Sequence, residues 1–263
     1  MRYIICLLAL LIPSLVQAQW KELSPGLEYR AQSVTLPEYS YPIEINAIRI
    51  DLQKWDLVFR GISQEADGPL KTPKEWCEKY SLTAAINAGM YNDDYQTHTG
   101  YVRDGEHRSS LHRNNYKSLL AFNPAKGKQV PPARIFDLDQ PGVTIDSVLK
   151  DYSTVIQNLR LIKRLGISVW PDQGNRWSEA AIAEDKQGRI LFLYCPSPVS
   201  MHDFNKILLY SDMEIVAAQH LEGNAPAQVY LKAGSTELIL SEDPDMMLPL
   251  PNIIGIRPKP VRK

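Results

Sequence analysis

The chain has 263 residues, 44% hydrophobic and 22% charged, with 29 Lys and Arg against 30 Asp and Glu. This is the composition of an ordinary globular domain, and it excludes a disordered or collagen-like chain. A formal net charge of −1 and 3 cysteines leave neither the cationic footprint that nucleic acid needs nor enough thiols for a disulfide framework.

The first element is an address. Arg2, an apolar run from Tyr3 to Ile12 and the small-residue pattern Val16-Gln17-Ala18 predict a secretory signal peptide over residues 1–18. The run falls short of the roughly 20 residues of a spanning helix, and Pro13 interrupts it. The expectation is a domain at residues 19–263, periplasmic or secreted, with no membrane span after cleavage. Export places Cys77 and Cys195 where a disulfide is permitted; a bridge and two separate buried thiols both stay open.

Period-2 alternation from Leu27 to Arg60, clearest at Ile48 to Leu52 and Trp55 to Arg60, predicts strands. Thr72-Pro73-Lys74-Glu75 supplies an N-cap, a first-turn proline and a capping Glu, predicting a helix over Pro73 to Tyr80. Leu82 to Asn87 reads as a buried strand ending in a turn at Ala88-Gly89. Asp104-Gly105 marks a hairpin, Leu119 to Phe122 a strand, Ala125 to Pro132 a loop, Ile145 to Tyr152 a helix and Tyr152 to Ile156 a strand. Ala180 to Glu184 and Arg189 to Tyr194 flank a polar turn, and Ser200 caps a helix from Met201 to Tyr210. Strands at Ala227 to Lys232 and Asn252 to Ile256 enclose an acidic loop. Hairpin-linked strands with few helices predict an α+β domain on a mixed, mostly antiparallel β-sheet.

The chain lacks the phosphate-loop, dinucleotide, zinc-protease and nucleophile-elbow motifs. His98, His107 and His112 fall in one polar stretch at irregular spacing, which reads as solvated loop histidines. No metal or cofactor is called for.

Three segments keep polar residues beside predicted strand ends. Asn87-Ala88-Gly89-Met90-Tyr91, continuing to Thr99-Gly100-Tyr101, offers an amide with donor and acceptor beside a glycine that permits close backbone approach. Arg176-Trp177 before Ala180-Ala181-Ile182-Ala183 offers a guanidinium suited to phosphate and an indole suited to a sugar ring. His220-Leu221-Glu222-Gly223-Asn224 ends an apolar strand with a carboxylate placed for acid or base work. Each also has a plain reading, as turn Asn, edge Arg or solvated Glu.

In order and spacing these segments, with the helix after Ser200 and with Tyr230-Leu231, resemble the phosphodiester glycosidase family over about residues 82–256. The resemblance implies a pocket that hydrolyses the bond between an anomeric carbon and a phosphodiester, on a carbohydrate or glycosyl-phosphate substrate. It assigns Asn87, Arg176 and Glu222 to catalysis, with Gly89, Tyr91, Thr99, Gly100, Trp177, Gly223 and Asn224 binding substrate. Members usually carry Leu-Asp-Gly-Gly or Leu-Asp-Gly-Ser where this chain has Leu221-Glu222-Gly223-Asn224, and a Ser/Thr-Gly-Pro segment appears only as Ile156-Gln157-Asn158-Leu159. The alternative function is a non-catalytic binding protein for a phosphorylated glycan; a structural envelope protein is the third reading.

Overall fold

The computed structural model describes residues 19–65, 68–172 and 174–260; the expected signal peptide lies outside them. In chain order the strands are β1 (Lys21–Ser24), β2 (Leu27–Val34), β3 (Ile43–Ile50) and β4 (Trp55–Gly61), then helix α1 (Pro73–Tyr80). There follow β5 (Ala84–Asn87), β6 (Val102–Asp104), β7 (His107–Ser110), β8 (Ser118–Pro124), β9 (Ala133–Asp137) and α2 (Ile145–Val148). Next come β10 (Tyr152–Asn158), β11 (Arg160–Lys163), β12 (Ile167–Ser168), β13 (Trp177–Asp185), β14 (Ile190–Val199) and α3 (Met201–Tyr210). The chain closes with β15 (Ile215–Gly223), β16 (Val229–Ala233), β17 (Thr236–Leu240) and β18 (Asn252–Pro258).

The strands form three sheets, ordered β1-β2-β3-β14-β13-β15-β11-β12, β7-β6-β10-β8-β9 and β17-β16-β5-β18-β4. Every strand pairing among the described residues is antiparallel. The expected single mixed sheet is thereby corrected, and with 47% strand against 10% helix the helices serve as covers. One twisted sheet of this many strands would leave its apolar faces wet, whereas three sheets bury them on one another.

Alternation shows how. Ile48, Ile50, Ala180, Ile182, Ala217 and Leu221 join Ile86, Ile156 and Ile254 in a central core shared by all three sheets. Their neighbours Ile45, Ala47, Ala181, Ala183 and Ala218 point the other way and pack under Phe204, Ile207 and Leu208 of α3. Strands covered on both faces carry near-continuous apolar runs, which is why β13 reads Ala-Ala-Ile-Ala. On the third sheet, Trp76 and Cys77 of α1 pack on Ala85, Tyr230 and Ile253. Ile145 and Val148 of α2 cover Leu119 and Tyr152.

The capped helices begin where predicted. The Thr72 side chain accepts from the Glu75 N–H at 3.2 Å, and the Glu75 carboxylate accepts from the Thr72 N–H at 2.7 Å. Ser200 accepts from the Asp203 N–H at 3.1 Å. Helix α2 stops at Val148, well before the expected Tyr152, whose ring is buried in β10. The acidic loop after Lys232 contains β17, paired with β16. Thr72→Ala is expected to lower stability by about 1 kcal/mol, read as a lower urea midpoint at unchanged m; an unmoved midpoint would remove the cap from the account.

Cys77 and Cys195 are separate buried thiols in different apolar clusters, each pushed up to about 12 by burial. No helix among the described residues is long and apolar enough to cross a membrane.

Candidate active site

Strand ends from all three sheets meet at one place. Strand β5 ends at Asn87 and runs into a turn whose Ala88 carbonyl accepts from Asn158 Nδ2, at the end of β10, at 3.0 Å. Asn158 Nδ2 also reaches Gln219 Oε1 of β15 at 3.5 Å. Strands β13 and β15 are paired with Glu179 opposite Gly223, Ala180 opposite Glu222 and Ala181 opposite His220. The step between Ala180 and Ala181 is a bulge; bulges re-aim side chains beside functional sites.

Gly89 is the tightest point of the turn. Its φ is +133°, and a Cβ there would lie 2.0 Å from Asn158 Oδ1 and 2.6 Å from His98 Nε2. His98 is wholly buried, contrary to its reading as a solvated loop histidine, because the loop folds back at the Tyr91–His98 bridge. Its Nδ1 accepts from the Gly100 N–H at 2.9 Å. Burial pushes the imidazole down to about 4, so it is neutral and carries its proton on Nε2.

Glu222 stands on the far side of this turn. Burial raises its carboxyl to about 7, against the lowering effects of the His220 charge and of hydrogen bonds from the Gly223 and Tyr91 N–H groups. The Tyr91 contact ties the predicted carboxylate to the predicted Asn87–Tyr91 turn. The Tyr91 phenol is itself pushed up to about 12, by burial and then by Glu222.

Behind Glu222, the fully buried Glu179 carboxylate lies 2.7 Å from His220 Nε2. Burial disfavours charge on His220, but the Glu179 and Glu222 carboxylates outweigh it and raise the imidazole above its usual value. A cavity of about 360 Å³ opens over this pair, lined by His220 with Met90, Leu159, Trp170, Trp177 and Met201, and by Gly174 and Asn175. Trp177 lies flat on Gly223, where a Cβ would come 2.3 Å from the indole. The glycine is there for the ring.

The other predicted residues sit outside the Glu222–His220 cluster. Asn87 is 1% exposed, on the Ala85 face of β5, and neither amide atom meets a hydrogen-bond partner among the described residues. The Thr99 N–H and hydroxyl both donate to the Met90 carbonyl, at 2.9 and 3.1 Å. Gly100 is packed so that a Cβ would meet the Gln157 carbonyl at 2.5 Å. Asn224 is exposed with φ +57° and donates its N–H to the Ser178 carbonyl at 3.0 Å, closing a turn. Arg176 does not join Glu222. Its half-exposed guanidinium turns to α3, where it bonds the Tyr39 hydroxyl, lies 3.2 Å from Asp203 and stacks 5.1 Å from the Tyr39 ring centroid. Asp172, His202 and Asp203 bring ligand atoms within 4.8 Å of one another, though Asp203 is already held by Tyr39 and Arg176.

Glu179, His220, His98 and Asn158 were given no role from the sequence. The first two carried a signal: titratable residues inside strands that are otherwise apolar and covered on both faces. His98 and Asn158 carried none, since only the fold brings them under Gly89.

A protein-family model for phosphodiester glycosidases matches residues 80–257. Among solved structures, a hypothetical protein from Synechocystis superposes with a TM-score of 0.69 at 14% identity. The match covers 92% of this chain but 64% of that one, so the chain spans less than two thirds of that neighbour. The zebrafish N-acetylglucosamine-1-phosphodiester alpha-N-acetylglucosaminidase catalytic domain, auto-inhibited by its pro-peptide, superposes at 0.65 with 13% identity, covering 91% and 86% of the two chains. At these identities the likeness is one of fold. No curated protein matches the sequence.

Proposed function

Because the chain belongs to the phosphodiester glycosidase family, we propose that it is an exported hydrolase acting on a glycosyl phosphodiester of an envelope or extracellular glycoconjugate. The carrying observation is Glu222: a carboxyl held near pH 7 by burial, fixed by two backbone N–H groups and electrostatically coupled to His220, which lines an aromatic-walled cavity. A proton-transfer group works best when its pKa lies near the working pH, and flat indoles suit the apolar face of a sugar ring.

In this reading the sugar lies against Trp177 and Trp170 in the cavity that His220 lines. Ionised Glu222 takes a proton from water as the water oxygen bonds to the anomeric carbon. The bond from that carbon to the phosphate oxygen breaks, and its electron pair leaves on the phosphate. The products are a free reducing sugar and a phosphate monoester. A phosphodiester is already a fair leaving group, so activating the water and orienting the ring carry most of the work.

The test is a panel of sugar-1-phosphodiesters incubated with the full chain, scored for reducing sugar and phosphomonoester in equal amounts. Turnover rising with pH through about 7 is expected. No turnover of any member overturns the reading, and saturable binding without turnover would place the chain among glycan-binding proteins instead.

A further inference from the structure

The Glu179–His220 pair has no part in the scheme above, and its position is unusual. Glu179 is 0% exposed and sits in β13 between Ser178 and Ala180, both also buried. A carboxylate taken wholly out of water costs several kcal/mol unless a charge and hydrogen bonds compensate it. The only cationic side chain that the ion pairs place against Glu179 among the described residues is His220, at 2.7 Å. Bulged register sets the two on a diagonal between the paired strands, Glu179 opposite Gly223 and Ala181 opposite His220. His220 is 5% exposed and lines the cavity; its Nδ1 has no hydrogen-bond partner among the described residues, and its Nε2 meets Glu179 as a close ion pair outside hydrogen-bond geometry.

Meanwhile the cation expected to meet the phosphate is committed elsewhere, since Arg176 is held by Asp203 and Tyr39. Among the described residues the cavity wall contains no other Lys, Arg or His. We propose that His220, anchored through Nε2 by the buried Glu179 carboxylate, is the group that receives the substrate's phosphate, through its Nδ1–H. Glu179 is then a positioning residue: it fixes the ring and keeps both ring nitrogens protonated. Two N–H groups are needed at once, one for the anchor and one for the ligand, and only imidazolium has both. A charge-assisted hydrogen bond to a phosphate oxygen is stronger than a neutral one. Glu222 is the other titratable group facing His220; its own charge favours the imidazolium.

This inference rests on the phosphodiester reading for its ligand, but its test does not require turnover. Full-length protein with 15N-labelled histidine is titrated with dimethyl phosphate, a monoanionic diester with no sugar, at pH 6.5. In the wild type both His220 ring nitrogens are expected to show imidazolium signatures, with Nδ1 shifting on titration. Glu179→Gln is expected to convert the ring to its neutral signature and weaken binding at least tenfold. His220→Gln is expected to abolish binding, and Arg176→Ala to leave it within twofold. Circular dichroism on each variant confirms that the fold is retained; a variant that fails it is replaced by Glu179→Asp, which keeps the charge but withdraws it, and is expected to give an intermediate loss. Binding unaffected by His220→Gln, or lost in Arg176→Ala alone, overturns the proposal, as does a wild type that shows no shift. If the shift is seen but no sugar-1-phosphodiester is turned over, the anion site stands and the hydrolase reading falls. If turnover is seen and Glu179→Gln leaves KM unchanged, the hydrolase stands and this site falls.

Discussion

Replacing Glu222 by glutamine is expected to remove turnover and, in the same protein, to raise stability above pH 7. The activity loss follows from deleting the proton-transfer group, an effect of about a hundredfold to ten-thousandfold on kcat. The stability gain follows from the raised carboxyl. In the fold Glu222 holds its proton up to about pH 7, whereas the unfolded chain releases it near the ordinary value of 4.5. Between those values the folded state binds more protons than the unfolded state, so stability falls as pH rises through the window. Glutamine has no such dependence. Urea unfolding of the two proteins should agree at pH 4 and separate by about 2 to 3 kcal/mol at pH 8. The pH range in which the carboxylate becomes an effective base is therefore the range in which it strains the fold. A variant with wild-type turnover, or with the same difference at both pH values, would detach Glu222 from this role.

Gly89→Ala is expected to lower stability by about 4 kcal/mol, the sum of a backbone conformation that L-residues avoid and a collision in a packed interior. The added Cβ would lie 2.0 Å from Asn158 Oδ1 and 2.6 Å from His98 Nε2 at φ +133°, and neither neighbour has room to withdraw. For a chain of this size that corresponds to a drop of about 10 °C in the thermal midpoint. Gly127 provides the control: it also has a positive φ, but a Cβ there meets nothing within 4 Å. Gly127→Ala should cost about 1 kcal/mol. Equal losses at the two positions would show that Gly89 serves the backbone alone and does not hold the three strand ends together.

The parts legible in the sequence were those decided within a few residues. Both capping signals placed their helices, and the turns at Asp104-Gly105 and after Asp185 closed as hairpins, because caps and turns are local chemistry. The glycines at 89, 100 and 223 were marked as important, although the reason differs at each: a turn, a carbonyl and an indole. What escaped were features created by register. The division into three sheets depends on which strands pair, and a one-residue bulge between β13 and β15 decides that Glu179 meets His220. Likewise, nothing local to Arg176 announces that Tyr39 and Asp203, from either side of it in the chain, will hold it. His98 looked solvated because its neighbours are polar, yet a loop closing on itself buried it.

The architecture separates two properties that enzymes often entangle. The proton-handling groups, Glu179, His220 and Glu222, stand on paired strands whose positions are locked by the ladder between β13 and β15. Much of the cavity wall that would choose a substrate, Met90, Trp170, Gly174 and Asn175, comes from connecting segments outside any strand. Connecting segments tolerate substitution and insertion with little penalty to the scaffold. In the proposed reading, substitutions in these segments would reshape the cavity wall while leaving Glu179, His220 and Glu222 in place on their strands.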